Sequence, residues 1–147
     1  MVIARAAQEV AQPADAVWSV IGHFDNIRRW AGAVTDERIE DAPAGPVRVL
    51  TMANGAVLRE QFIARDEFSY SYRVVEGGRN LDSTGTVAVV STGPGACRIE
   101  LTSDFRPPLD VDENDALQTQ TKFLRGNIKA MMRALGPDLN AVSSPHS

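Results

Sequence analysis

The sequence has one cysteine and two histidines among its 147 residues, and these scarcities exclude several kinds of chemistry. Cys97 cannot form an intrachain disulfide, and no second cysteine is present to help hold zinc. His146 lies in a small, polar C-terminal stretch, so a Ser-His-Asp or Cys-His arrangement would depend on His23. That residue follows Gly22 at the predicted end of a short helix, where a capping role explains it as well.

Basic clusters, nucleotide-binding loops and long apolar runs are also missing. The net charge is −4 and the tightest basic run is Arg28-Arg29, which predicts no nucleic-acid partner. No glycine-rich loop joins a strand to a long helix, and the acidic run at 110–113 fits a helix N-terminus better than a metal site. We therefore expect no cofactor and no metal. No signal peptide is apparent and no segment approaches the roughly 20 apolar residues of a membrane span, so we expect a cytoplasmic protein.

The middle of the chain has the two-residue periodicity of β-strands. Turn residues separate its segments, and Asn54-Gly55 is the strongest signal because both residues tolerate the positive φ of a tight hairpin. Short connections between successive strands predict an antiparallel meander. With a first strand near 3–10, the predicted strands are 34–41, 46–53, 56–66, 68–76, 84–92 and 96–106.

Helical patterns flank this strand region. Two short helices are predicted after the first strand, one beginning at Pro13 and one over 26–30. A long helix is predicted over about 114–135, since apolar residues recur there at steps of three and four and Gly136-Pro137 follows. One helix cannot cover both faces of seven strands, so we expect a twisted sheet that wraps around it. The predicted α+β domain spans 1–139, and a disordered tail is expected over 140–147.

Several stretches resemble the birch-allergen-like, lipid-transfer-domain superfamily of START-like proteins, and especially its bacterial polyketide cyclase/dehydrase branch. They are PADAVW at 13–18, FDNIRRW at 24–30, GPVRVLT at 45–51 before Asn54-Gly55, Arg59-Glu60 through ARDE at 64–67 with YSY at 70–72, and LTSDFRP at 101–107. The resemblance spans nearly the whole chain. It implies a helix-grip fold, a seven-stranded curved antiparallel sheet around the long C-terminal helix, with a cavity for a small apolar ligand.

Strand and helix alternation gives the residues expected to face that cavity. On the strands they are Leu58, Glu60, Phe62, Tyr70, Tyr72, Val74, Leu101, Ser103 and Phe105; on the long helix, Phe123, Asn127 and Met131; at the entrance, Phe24 and Trp30. Trp18 is expected in the core. The phenols of Tyr70 and Tyr72 could orient a ligand carbonyl, or could be core aromatics with hydroxyls at the rim. Asn127 could bind the ligand or meet solvent.

Glu60 is the candidate acid or base. Hydrophobicity only slightly favours the face of this strand that carries Leu58, Glu60 and Phe62 as the one turned toward the cavity. The resemblance supports the same choice, because related receptors point the corresponding Glu inward. A carboxylate in an apolar cavity would have a raised pKa and could exchange protons near neutral pH. The alternatives are that Glu60 pairs with an arginine on an adjacent strand or lies outside.

Three functions remain open at this stage. The first is a cyclase, dehydratase or lyase acting in secondary metabolism on a polyketide-like or aromatic substrate, with Glu60 and Tyr72 as catalytic residues. The second is a non-catalytic carrier or sensor of a hydrophobic ligand. The third is a co-chaperone-type interaction module. The sequence leaves the oligomeric state open, a homodimer included.

Overall fold

Alternating residues and tight turns form seven β-strands in the computed structural model of the chain, which describes residues 1–136. The strands are β1 (Val2–Val10), β2 (Val34–Glu40), β3 (Val47–Met52), β4 (Val57–Asp66), β5 (Ser69–Glu76), β6 (Leu81–Gly93) and β7 (Ala96–Arg106). They form one antiparallel sheet in the order β1-β7-β6-β5-β4-β3-β2. The predicted meander is thus present, and β1 is added at one edge of it by pairing with β7. The largest boundary difference is at β6, which begins three residues earlier than predicted.

Two helical elements lie between β1 and β2. The first is α1 (Ala14–Ile21), and the second is a single 3₁₀ turn (Ile27–Arg29), shorter than the helix predicted there. The Glu37 carboxylate on β2 accepts hydrogen bonds from the backbone N–H groups of Ile27 and Arg28. Because these N–H groups open the turn and have no partner within it, the carboxylate of β2 fixes the turn against the sheet.

The long helix α2 (Glu113–Leu135) begins and ends close to its predicted bounds. The Asp112 side chain accepts hydrogen bonds from the N–H groups of Asn114 and Asp115, as an N-cap residue does. Gly136 follows with φ of 93°, a conformation that favours glycine. The predicted tail at 140–147, with His146, lies outside the described residues.

One face of the curved sheet and α2 enclose the hydrophobic core. Alternate residues of β7, from Cys97 to Phe105, are buried on this concave face, and so are alternate residues of β6 from Ser83 to Val89. The helix packs most extensively against β1 at one edge of the sheet. Space therefore remains between α2 and the central strands. Among the described residues, no helix is both long and apolar enough to cross a bilayer.

Candidate ligand-binding site

A cavity of about 410 Å³ lies between α2 and the concave face of the sheet. Most of its wall is aliphatic or aromatic, with Leu50 from β3, Val87 from β6 and Leu124 from α2 among the contributors. Gly32 and Ala33, after the 3₁₀ turn, and Gly126 and Arg133, on α2, are exposed lining residues and mark its mouth. The loop after the 3₁₀ turn and the helix thus form the two sides of the entrance.

Most of the residues predicted to face a cavity do line one. The larger cavity is lined by Trp30, Leu58, Glu60, Tyr72, Leu101, Phe123, Asn127 and Met131. Val74 and Ser103 line a smaller cavity that adjoins it. That any of these side chains contacts a ligand remains a prediction.

Three aromatic residues predicted to face the cavity instead pack together beside it, and none lines either cavity. The ring of Phe24 meets those of Phe62 and Tyr70 edge-on, with centroids 5.3 and 5.8 Å away. Trp18, expected in the core, is partly buried and packs against the core, with its ring centroid 6.1 Å from that of Tyr70. The prediction for Phe24, Phe62 and Tyr70 therefore needs correction, because these rings fill the space that α1 and the 3₁₀ turn leave at one end of the sheet.

Phe105 needs a similar correction. It is fully buried within the hydrophobic core and lines neither cavity. Its Cα is paired with Val2 near the start of β1, at the edge of the sheet where α2 packs. Alternation placed Phe105 on the correct face of β7, but at this position that face contributes to the core and not to a cavity wall.

The aromatic residues surround a buried arginine that the sequence analysis did not single out. Arg48 is 1% exposed, and its Nε donates a hydrogen bond of 2.7 Å to Oε1 of Glu60. Its Nη1 donates to the backbone carbonyl of Phe24 at 3.1 Å and to the hydroxyl of Tyr70 at 3.2 Å. The guanidinium carbon also lies 4.5 Å from the centroid of the Phe24 ring and 4.7 Å from that of Tyr72. Hydrogen bonds and ring faces together compensate the buried charge.

Glu60 therefore both faces the cavity and pairs with an arginine on the adjacent strand. From the sequence these were alternatives, and the structure combines them because Arg48 and Glu60 are cross-strand neighbours in β3 and β4. Only Oε1 is engaged by Arg48; Oε2 has no hydrogen bond to the described residues. One oxygen of a buried carboxylate thus remains as an acceptor in the cavity wall.

Tyr72 is the second polar group at this position, and it lines both cavities. Burial, together with the charge of Glu60, raises the pKa of its phenol, so the hydroxyl stays protonated around neutral pH and acts as a hydrogen-bond donor. Gly85 faces it across the β5–β6 pair, and a Cβ there would lie 2.4 Å from Cζ of the tyrosine ring. The absence of a side chain at Gly85 is what lets the ring lie across the sheet.

Trp30 adds a third polar atom near the larger cavity. Its side chain is buried, and its indole N–H has no hydrogen-bond partner among the described residues. Buried donors are usually paired, so this unpaired N–H is an exception within residues 1–136. Within residues 1–136, the His, Cys, Asp and Glu side chains form no cluster of three or more that could hold a metal ion.

The sequence matches the model of one protein family along nearly its whole length. That family is described as polyketide cyclase / dehydrase and lipid transport, and the match covers residues 1–139. The chain belongs to this family. The resemblance predicted from the sequence is thereby confirmed. Family and fold together are those of a hydrophobic ligand-binding domain. No protein of curated function matches the sequence.

Solved structures confirm the helix-grip fold. An uncharacterized protein from Bacillus thuringiensis is 19% identical, with a TM-score of 0.82 over 91% of this chain and 98% of the other. Norcoclaurine synthase from Thalictrum flavum, solved with dopamine and hydroxybenzaldehyde, is 22% identical, with a TM-score of 0.66 over 99% and 88%. A START superfamily protein from Mycobacterium smegmatis is 14% identical, with a TM-score of 0.68 over 95% and 98%. At these identities the likeness concerns the fold alone.

Proposed function

We propose that this member of the polyketide cyclase / dehydrase and lipid transport family binds a small, largely apolar or aromatic molecule in its larger cavity. The observation that carries the proposal is an internal space of about 410 Å³ walled mainly by aliphatic and aromatic side chains. Ligand pockets commonly have this size and composition, and removing apolar ligand surface from water supplies the binding energy. The similar fold of norcoclaurine synthase, solved with two aromatic compounds, is consistent with an aromatic ligand.

The polar groups of the cavity support a ligand that carries at least one oxygen. Tyr72 offers a protonated hydroxyl, and Oε2 of Glu60 offers an acceptor beside it. A buried polar group that lacks a partner is costly, so a ligand that pairs with both groups would be favoured over a pure hydrocarbon. We therefore place the polar end of the ligand at Tyr72 and its apolar body among Leu50, Leu124 and Met131.

A cavity-filling variant tests the binding proposal. Ala130 lines the larger cavity from α2, so Ala130→Phe would occupy space that the ligand needs. With N-phenylnaphthylamine as the fluorescent probe, we expect the wild type to bind in the micromolar range and Ala130→Phe to bind at least about tenfold more weakly, a loss of about 1.4 kcal/mol.

The matched control is Ala134→Phe, one helical turn later on α2 at an exposed position that lines neither cavity. It carries the same new side chain on the same helix and should bind the probe like the wild type. Equal binding by all three proteins, or no binding by any of them, would refute the proposal.

A catalytic role is the second candidate, and the unengaged Oε2 of Glu60 favours it. In a dehydratase, Oε2 would take the proton next to a substrate carbonyl while the Tyr72 hydroxyl stabilises the enolate oxygen. The β-hydroxyl would then leave as water with the proton that Glu60 returns, and the carboxylate would be regenerated. Arg48 would keep the carboxylate in position throughout. A cyclase or lyase could use the same proton transfer.

Glu60→Gln separates the catalytic role from simple binding. Glutamine keeps an oxygen that can accept from Arg48 but cannot take a proton as carboxylate does. With the aldol of benzaldehyde and acetone as substrate, we expect the wild type to form benzylideneacetone, followed by its absorbance, and the variant to lose at least about a hundredfold in kcat. Binding of N-phenylnaphthylamine should change little. No turnover above buffer, or equal turnover by both proteins, would favour a carrier or sensor.

A further inference from the structure

A smaller cavity of about 210 Å³ continues the larger one beneath the turn between β5 and β6. The two cavities share Met52, Leu58, Glu60, Tyr72 and Phe123 in their walls. Tyr72 and Glu60 therefore stand at the junction between two chambers. A ligand that places one polar group at Tyr72 can extend further, into the smaller cavity.

The wall of the smaller cavity is held by a hydrogen-bond network centred on Gln120 of α2. Its Oε1 accepts from Nη2 of Arg79 at 3.0 Å and from Nδ2 of Asn80 at 3.1 Å. Its Nε2 donates to the hydroxyl of Ser103 at 3.2 Å. The buried amide thus joins the β5–β6 turn and β7 to the helix, and both of its ends are used. Such a network positions the surrounding groups before any ligand arrives.

This network leaves hydrogen-bond donors unused on the side of the smaller cavity. Ser103 accepts from Gln120, so its own hydroxyl proton remains to be donated. Ser83 also lines the cavity; it is 9% exposed, and its hydroxyl makes no hydrogen bond to the described residues. The guanidinium of Arg79, at the rim, has further N–H groups beyond the one given to Gln120.

The open space beside these donors is the smaller cavity that they line, about 210 Å³ in volume. Gly85 follows Ser83 by two residues on the concave face of β6 and is paired with Ser103 of β7. The ring of Tyr72 covers Gly85 and forms one wall of the smaller cavity. The only carboxylate in the wall of the smaller cavity belongs, among the described residues, to Glu60, whose charge is paired with that of Arg48. The donors therefore face an opening where an oxygen acceptor fits.

We infer that the smaller cavity is a subsite for an oxygen-bearing end of the ligand, a carbonyl or a carboxylate, while the apolar body occupies the larger cavity. This inference rests on the proposed binding function and deepens it. The hydroxyls of Ser83 and Ser103 donate to the oxygen, and Arg79 adds attraction for a negative charge. The ligand is thus a two-part molecule, a compact apolar body with an oxygen-bearing extension.

Three probes of similar size test the subsite by calorimetry. Benzylacetone carries a carbonyl, phenylbutyrate carries a carboxylate, and butylbenzene carries neither. We expect both oxygen-bearing probes to bind at least about threefold more tightly than butylbenzene, as one hydrogen bond of about 1 kcal/mol implies. Ser83→Ala should abolish that advantage for both probes. Arg79→Met should weaken phenylbutyrate alone, and the wild-type preference for this anion should shrink as salt is added.

Ser91→Ala and Arg73→Met are the matched controls, because both residues are exposed and line neither cavity. Each should bind all three probes like the wild type. Equal binding of the three probes by the wild type, or an oxygen preference that survives both Ser83→Ala and Arg79→Met, would overturn the subsite. If N-phenylnaphthylamine and butylbenzene bind while this preference is missing, only the subsite fails. If no probe binds, the proposed function itself fails.

Discussion

Arg48 carries its charge inside the protein, and the surrounding residues offset most of the cost. Burial disfavours the charged guanidinium, but nearby Tyr70 and Glu60 outweigh this and raise its pKa above the ordinary value. The ion pair with Glu60 lies between side chains that are 1% and 9% exposed. A buried pair of this kind is sensitive to the loss of one partner, because the other charge then remains in a poorly solvating environment.

We predict that Arg48→Met lowers the free energy of unfolding by about 3–5 kcal/mol, because it leaves Glu60 without its partner and opens space among the rings. Urea denaturation at neutral pH measures the change. The double variant Arg48→Met with Glu60→Leu removes both charges and should recover a large part of the loss.

Arg38→Met is the control at the surface. Arg38 pairs with Glu40 at 3.0 Å, but its side chain is 55% exposed. Exposed pairs add little to stability, so this variant should unfold like the wild type. Equal effects of Arg38→Met and Arg48→Met would contradict the role given to the buried pair, as would a double variant no more stable than Arg48→Met alone.

The pairing of Arg48 with Glu60 depends on the length of the loop between β3 and β4. A two-residue turn at Asn54-Gly55 would place residue 48 opposite residue 61, but the loop contains residues 53, 54 and 55 and places residue 48 opposite residue 60. One arginine within the apolar run of β3 thus faces the one carboxylate considered for the concave side of β4. The positions of Phe62, Tyr70 and Phe105 outside the cavity walls were harder to predict. Alternation shows which face of a strand a side chain is on, but not what covers that part of the face.

At the scale of elements, the predictions were most accurate where a local pattern decides the structure. The long helix α2 follows from its apolar stripe, and the hairpin at Asn54-Gly55 follows from its residues. The length of the second short helix was overestimated, because the segment 26–30 is held by the distant carboxylate of Glu37 and not by local helix propensity alone. Gln120 was missed for a similar reason.

Gln120 illustrates why the smaller cavity could not be predicted from the helix pattern. The side chain is polar and is buried on the face of α2 that also carries Ala116 and Leu124. An apolar stripe predicts no such residue, since an amide is buried at low cost only when its hydrogen bonds are satisfied. Its partners Arg79, Asn80 and Ser103 lie about 17 to 41 residues away along the chain. Only the packing of helix against sheet brings them together.

At the scale of the whole molecule, the cavity forms because one long helix is too narrow to cover a seven-stranded sheet. The sheet has seven strands and α2 packs mainly against its β1 edge, so α2 does not pack closely on the central strands β3 to β6. The predicted mismatch between one helix and seven strands implies a cavity, and the architecture agrees with it. Its division into two chambers depends on single residues, Tyr72 and Gly85, and was beyond that argument.

A cavity walled by α2 and the central strands exists only in the folded protein, so its ligand should stabilise the whole fold. β1 and α2 come together in the folded state, and the cavity wall includes α2 and the central strands. With N-phenylnaphthylamine at a hundred times its Kd, mass action adds about 2.7 kcal/mol, which predicts a rise in Tm of roughly 5–10 °C for a domain of this size. Scanning calorimetry measures the rise in Tm. At the same probe concentration, the Tm of Ala130→Phe should rise little, while that of Ala134→Phe should rise as much as that of the wild type. An unchanged Tm in the wild type at saturating probe would mean that the probe binds outside the fold-dependent cavity.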